Sequence, residues 1–183
     1  MSMYEGNNPA AIQSQKWLSS ALIDLMAEQP FSKITVKMIC GRADLSRQTF
    51  YNVFKTKNDA LRFRLRSNYE KLYSEISAQT ALTVEDMINS FSEELLTDSE
   101  LIRLMINSGL ESVITDEIAR CVELFAQRFH SDKQDEKLVG YGTAFVSGAL
   151  SRILLHWFKS PDPISVSELR ELILSMCSGE FFE

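Results

Sequence analysis

The 183-residue chain is poor in turn formers, with seven glycines and four prolines. Sandwiches and barrels are built from many tight turns of those residue types, so the shortage argues against a β-rich fold. Its three cysteines, Cys40, Cys121 and Cys177, stand far apart without a C-x-x-C spacing. That pattern fits thiols used as small apolar groups in a reducing compartment, not a disulfide framework or a thiolate metal site. The two histidines, His130 and His156, have no ligand spacing to each other. There is no Gly-rich phosphate loop, no Ser/His/Asp set and no metal-ligand cluster, so no enzyme, cofactor or metal is expected. The opening MSMYEGNNPAA has neither the basic nor the apolar region of a signal peptide. The longest uncharged run, Leu138 to Ser151, falls short of the roughly 20 residues of a membrane span. A cytoplasmic protein without a membrane partner is the expectation.

The chain is 45% hydrophobic, enough for a substantial core in one domain or two small ones. The net charge of −6 is unevenly spread. Residues 1–75 carry 11 Lys+Arg against 7 Asp+Glu, whereas residues 76–183 carry 8 against 18. Between Lys33 and Lys57 there are six basic residues and a single acid, Asp44. A basic patch on an acidic body is the electrostatic footprint of a phosphate-binding end.

Apolar periodicity and capping signals predict an all-helical chain. Asn8-Pro9 is an N-cap followed by proline at the first helical position. Leu18, Ala21, Leu22, Leu25 and Met26 then line one face, and Pro30 stops the helix. A short second helix follows the cap Thr35, with Ile34 and Ile39 as a hydrophobic staple. A third follows the cap Ser46, with Leu45 and Phe50 as its staple. Phe50, Val53 and Phe54 form its buried stripe. Gln48, Asn52 and Lys55 point away from that stripe, with Arg47 and Tyr51 to one side and Thr49 to the other. Thr56 and Asp59 make a near-capping box for a fourth helix that runs to about Gln79. Further helices are expected near 83–97, 99–108, 112–130, 134–159 and 165–178, giving about nine, with a loop at Ser160–Pro163.

Two short helices joined by a tight turn, the second with a polar outer face, describe a helix-turn-helix. The major groove admits one helix, and that helix needs side chains that bond to base edges. Arg pairs with guanine, Gln or Asn with adenine, and Thr meets the thymine methyl. Tyr51 suits a phosphate oxygen. Lys57 lies in the first turn of the fourth helix, where the dipole disfavours a cation, and a nearby phosphate would compensate. An ordinary solvated face is the plainer reading of Arg47, Gln48 and Asn52.

The stretch FSKITVKMICGRADLSRQTFYNVFKTKNDAL resembles the DNA-binding domain of the TetR/AcrR family of bacterial transcription regulators. The likeness covers about residues 9–65. Its most specific part is Leu45-Ser46, Thr49-Phe50-Tyr51, Phe54-Lys55 and Lys57. RQTFYN is also similar to the branch that includes the dihydroxyacetone-kinase operon activator. The resemblance implies an all-helical homodimer, with a helix-turn-helix domain at 1–57 and an effector and dimerisation domain at 58–183. It implies DNA contacts by Thr35, Lys37, Ser46, Arg47, Gln48, Thr49, Tyr51, Asn52 and Lys57. It also implies a repressor of a palindromic operator, governed by a small apolar molecule or a partner protein. An activator controlled by a protein partner, and a helical ligand-binding protein without DNA function, are the rivals. Two positions depart from the family pattern. Asp44 stands in the turn where Gly is common, and Asp tolerates the left-handed conformation better than most residues. Pro30 also replaces a common Gly.

In the C-terminal half, Leu138 to Phe158 is apolar almost all round and includes Gly140, Gly142, Gly148 and Ala149. Such a helix must be covered on every side. Helices 134–159 and 165–178 are therefore expected to pair with those of a second subunit as a four-helix bundle. Met87, Phe91, Leu104, Met105, Phe125, Phe129, Tyr141 and Phe145 are either plain core or the lining of an apolar pocket.

Overall fold

The computed structural model describes residues 3–77, 83, 85–86, 88–89, 92, 97–129 and 136–178. Among these residues the chain forms eight helices and one 3-10 turn. They are α1 (Pro9–Glu28), the 3-10 turn (Phe31–Lys33), α2 (Val36–Arg42), α3 (Arg47–Val53) and α4 (Lys57–Ser77). Then come α5 (Ser99–Asn107), α6 (Glu111–Phe129), α7 (Glu136–Lys159) and α8 (Val166–Ser178). The fold is all-helical, as periodicity predicted. The helix expected near 83–97 lies largely outside the described residues, as do Met87, Phe91 and His130. The chain forms two compact units: Met1–Ser67 with Leu101–Glu117, and Asn68–Glu100 with Ile118–Glu183.

In the first unit, α1, α2 and α3 pack on one another. Asn8 caps α1 by accepting from the Ala10 N–H at 3.0 Å, and Pro9 occupies the first turn. The helix ends at Glu28, because Pro30 forces Gln29 into extended backbone. Leu18, Leu22, Leu25 and Met26 are buried, as their spacing required. Ile34, Ile39, Phe50, Phe54 and Leu61 are buried as well. Burial of each such side chain contributes about 1.5–3 kcal/mol. Phe54 keeps its buried place but leaves the helix: α3 stops at Val53 and Phe54 is extended. Its ring meets those of Phe50 and Phe63 edge-on, at centroid distances of 5.7 and 5.9 Å.

Both short helices of this unit are closed at their ends by sequence-encoded devices. Thr35 accepts from the Met38 N–H at 3.3 Å, and Ser46 from the Thr49 N–H at 3.0 Å. Asp44 has φ 52°, in the left-handed region, and the Leu45 N–H reaches back to the Cys40 carbonyl at 2.9 Å. This is a Schellman closure of α2. The same bond pattern ends α5, where Gly109 takes φ 71° and the Leu110 N–H meets the Met105 carbonyl at 3.0 Å. At α4, Asp59 Oδ2 accepts from the Thr56 N–H at 2.7 Å, while Thr56 Oγ1 accepts from the Asp59 N–H at 3.3 Å. The capping box read from Thr56 and Asp59 is present.

In the second unit, α7 buries Ser147, Ser151, Leu154, Trp157 and Phe158 on one side. Its other side leaves Leu138, Tyr141, Phe145 and Val146 exposed. The apolar face of this helix therefore points outward. The stretch Lys137–Lys159 is long and apolar enough to cross a membrane by length and composition, although its uncharged core, Leu138 to Ser151, is shorter. Trp157 Nε1 donates to the Ile164 carbonyl at 2.6 Å and fixes the Ser160–Pro163 loop to the end of α7. Ser165 and Glu168 form a reciprocal capping box at the start of α8, with bonds of 2.8 and 3.2 Å.

Candidate nucleic-acid interface

The two caps and the Asp44 turn orient α3 before any partner is present. Ser46 starts the helix and Phe50 and Val53 pin its inner side, so the other side is left to solvent. Arg47, Gln48, Tyr51 and Asn52 are exposed there, and Thr49 is half-buried. Thr35 and Lys37, at the start of α2, are exposed as well. The first unit thus brings eight of the nine candidate positions onto α2 and α3, each with its side chain at least partly in solvent.

Gln48 Nε2 donates to Asn52 Oδ1 at 2.9 Å, one turn apart on the outer face. The bond uses the Gln48 amide N–H and the Asn52 carbonyl, so the Gln48 side-chain carbonyl and the Asn52 amide group are an acceptor and a donor outside it. An adenine edge in the major groove presents the complementary acceptor and donor. The Tyr51 ring stands edge-on to Phe50 at 5.4 Å and carries its hydroxyl into solvent. Ser46 Oγ is committed to the Thr49 N–H and lies 2.9 Å from Thr49 Oγ1.

Lys57, the ninth candidate, is placed differently. Its ammonium donates to the carbonyls of Phe31 at 2.8 Å and Ile34 at 2.6 Å, and sits 4.1 Å from the centre of the Phe31 ring. Burial lowers its pKa from the ordinary lysine value. The compensation that the helix dipole demands comes from two carbonyls at the end of the 3-10 turn. Lys57 ties α4 to the α1–α2 connection. The sequence could not show this, because the carbonyls lie more than twenty residues away.

Arg62 and Arg66 of α4 are paired with acids. Arg62 Nη2 bonds Asp116 at 2.7 Å. Arg66 places Nε and Nη2 on the two oxygens of Glu117 at 2.7 and 3.0 Å. At α2, Arg42 bonds Glu28 at 2.7 Å, which lowers the Glu28 pKa and raises that of Arg42. Burial raises the Cys40 thiol, with the charge of Arg47 acting the other way.

Of the eight apolar residues considered for a pocket, the described ones are divided between the two units. Leu104 and Met105 fall in the first unit, where Met105 is fully buried core. Phe125 is buried in the second unit. Tyr141 and Phe145 are each 78% exposed on α7. Met87, Phe91 and the side chain of Phe129 lie outside the described residues. The sequence reading also missed Met3, Tyr4 and Gln15, which hold the far end of α3. The available signal was Gln15 itself, a polar residue on the apolar face of α1 that proves 2% exposed.

No family model matches the chain. Its fold, a helix-turn-helix followed by further helices, is similar to that of several solved structures, a TetR transcriptional regulator among them. A protein from Listeria innocua is similar over 99% of this chain and 97% of its own, with a TM-score of 0.73 at 18% identity. A TetR transcriptional regulator from Streptococcus agalactiae covers 91% of this chain and 94% of its own, with a TM-score of 0.58 at 18% identity. The dihydroxyacetone kinase operon activator DhaS covers 91% and 95%, with a TM-score of 0.60 at 18% identity. In sequence, the dhaKLM operon transcriptional activator DhaS of Lactococcus lactis is 31% identical over 77 residues. That match spans 42% of this chain and 41% of the relative, so less than half of either protein is aligned.

Proposed function

We propose that the chain is a sequence-specific, DNA-binding transcription regulator that acts as a homodimer on a palindromic operator. The observation that carries this reading is the outer face of α3. It is held by the Ser46 cap and the Asp44 turn, and it presents the joined Gln48–Asn52 pair. Gln48, Thr49 and Asn52 read bases, and Arg47 reaches bases or phosphates. Thr35, Lys37 and Tyr51 meet phosphates. Ser46 and Lys57 set the height of the reader through their bonds within the fold. Residues 1–57 serve DNA, and 58–183 serve the dimer and an effector, either a small apolar molecule or a partner protein. A regulator of this kind works in the bacterial cytoplasm.

The dimer follows from α7. Leu138, Tyr141, Phe145 and Val146 form an exposed apolar face beside Gly142 and Ala149, and Ile164 and Met176 are exposed too. A patch of this kind on a soluble chain marks an interaction site. A second copy, applying its own α7 and α8, covers like with like, and the small residues allow close approach. Two reading helices then enter successive major grooves about 34–36 Å apart.

Selection of bound duplexes from random DNA, followed by footprinting, tests the whole reading. The expected outcome is a two-fold symmetric site with half-sites one helical turn apart. Asymmetric or absent enrichment at low salt removes it. Sedimentation of Phe145→Glu tests the dimer face: the variant should run as a monomer at micromolar concentration where the wild type is a dimer. A repressor sterically blocks transcription at such a site. The likeness to DhaS, an activator by name, favours an activator under a partner protein's control as the second reading. Reporter expression with and without the regulator separates the two by its sign.

A further inference from the structure

The far end of the reading helix is held by chain that precedes α1. Val53 is the last helical residue of α3, so its carbonyl has no partner within the helix. The Tyr4 N–H donates to that carbonyl at 2.9 Å. Met3 pairs with Phe54 in an antiparallel bridge, and its side chain is buried.

Residues Met3–Glu5 form a strap across the helix end, and the strap is tied at three further points. Gln15, buried on α1, donates its side-chain amide to the Tyr4 carbonyl at 2.9 Å. Tyr4 Oη accepts from the Asn8 N–H at 3.2 Å. The ring folds back over Gly6, where any Cβ would collide with it. Glu5 Oε1 lies 3.3 Å from Arg66 Nη1. Arg66 is in turn fixed by its two bonds to Glu117, a carboxylate only 3% exposed.

A helix of two turns cannot hold its own direction, because so short a helix is unstable alone. Hydrogen bonds to base edges weaken steeply with misalignment. The angle of α3 must therefore be set at both ends. The Ser46 cap and the Asp44 turn set one of them.

We propose that Met3–Glu5 is the positioning strap for the other end, fixing the angle at which Gln48 and Asn52 meet the bases. Gln15 and Arg66 are positioning residues that hold the strap. This role rests on the DNA-reading function proposed above.

The test uses full-length protein, a duplex selected by the wild type and a scrambled duplex of the same composition. Tyr4→Pro removes the N–H that reaches Val53. Gln15→Met removes the donor to Tyr4 at similar volume. Tyr4→Phe is the control that loses only the hydroxyl. Tyr4→Pro and Gln15→Met should each lose about tenfold in affinity for the selected duplex, or roughly 1.4 kcal/mol. Binding to the scrambled duplex should stay within about twofold, with the same salt slope, because no phosphate contact is touched. Amides at Val53 and Phe54 should exchange faster in Tyr4→Pro, while those in the middle of α1 do not change. Tyr4→Phe should keep the wild-type ratio between the duplexes. A wild-type ratio in both strap variants overturns the proposal, whatever happens to their melting temperatures. Equal losses on both duplexes also overturn it, since they report general destabilisation. If the wild type itself selects no duplex, the DNA-reading function fails and the strap's role falls with it. That result is distinct from a strap failure, in which the wild type selects DNA normally.

Discussion

Gln48 and Asn52 are joined across one turn of α3 by a 2.9 Å hydrogen bond, on an exposed face of the helix. Each residue orients the other, so under the proposed function they should act as one reading unit. Gln48→Ala should relax preference at one base position by about 1–3 kcal/mol. Adding Asn52→Ala should cost less than the sum of the two single changes, because residues in contact are not additive. Binding to a set of single-base operator variants measures both. Strict additivity would show that the pair does not read as a unit.

Lys57 is predicted to matter first for the fold. Its two carbonyl partners and the Phe31 ring satisfy an ammonium that is partly withdrawn from water. Lys57→Met keeps the aliphatic stem and removes the charge. Denaturant unfolding should show a loss of about 1.5–3 kcal/mol, the range for hydrogen bonds to charged groups. The slope of log affinity against log salt should fall by well under one. A fall of about one with unchanged stability would instead assign the ammonium to a phosphate.

Asp44 presents two properties, a left-handed backbone and a negative charge, and two substitutions separate them. Asp44→Val should destabilise by about 1–2 kcal/mol, since a β-branched residue is strained at φ 52°. Asp44→Asn keeps the tolerance for that conformation and removes the charge. It should leave thermal stability nearly unchanged and tighten binding to all DNA sequences, because a like charge is taken from a phosphate-facing patch. Weaker binding by Asp44→Asn would mean that the carboxylate makes a favourable contact.

Three surface carboxylates, two exposed and one half-buried, should shape acid stability. Glu28 is held below its ordinary value by the Arg42 hydrogen bond, Asp86 by the Thr83 hydroxyl and Glu168 by the Ser165 hydroxyl. A lowered folded-state value means that the unfolded chain binds the proton more readily. Their stabilisation is therefore present above the ordinary values of 3.8 for Asp and 4.5 for Glu. It is lost as pH falls through the lower folded values. Glu168→Gln should flatten the loss of stability below about pH 4.5. Urea unfolding across that range checks it, and a profile parallel to the wild type would count against the capping box as the cause.

Much of the fold was legible because its determinants are local. Asn8, Thr35, Ser46 and Thr56 cap helices by reaching two or three residues along the chain, so their spacing alone announces them. The buried stripes of α1 and α3 follow from the helical period. The face bearing Arg47, Gln48, Tyr51 and Asn52 is what remains once Phe50 and Val53 are assigned to the core. Even the left-handed turn at Asp44 was foreseeable, since few residues accept that conformation.

What the sequence by itself determined is thus the described helices, their caps and the polar composition of the outer face of α3, all governed by steric and hydrogen-bond rules within one turn. Only the tertiary structure decided which distant groups those elements meet. It gave the Lys57 ammonium to the carbonyls of Phe31 and Ile34, and turned the buried Gln15 toward Tyr4. It also laid Met3–Glu5 across the end of α3 and joined Arg66 to both Glu5 and Glu117. It exposed Tyr141 and Phe145, which hydrophobicity alone would have placed inside. These partners are separated by eleven to sixty-one residues. A period or a cap rule reports only on neighbours along the chain, whereas a buried polar group takes whichever partner packing brings within reach.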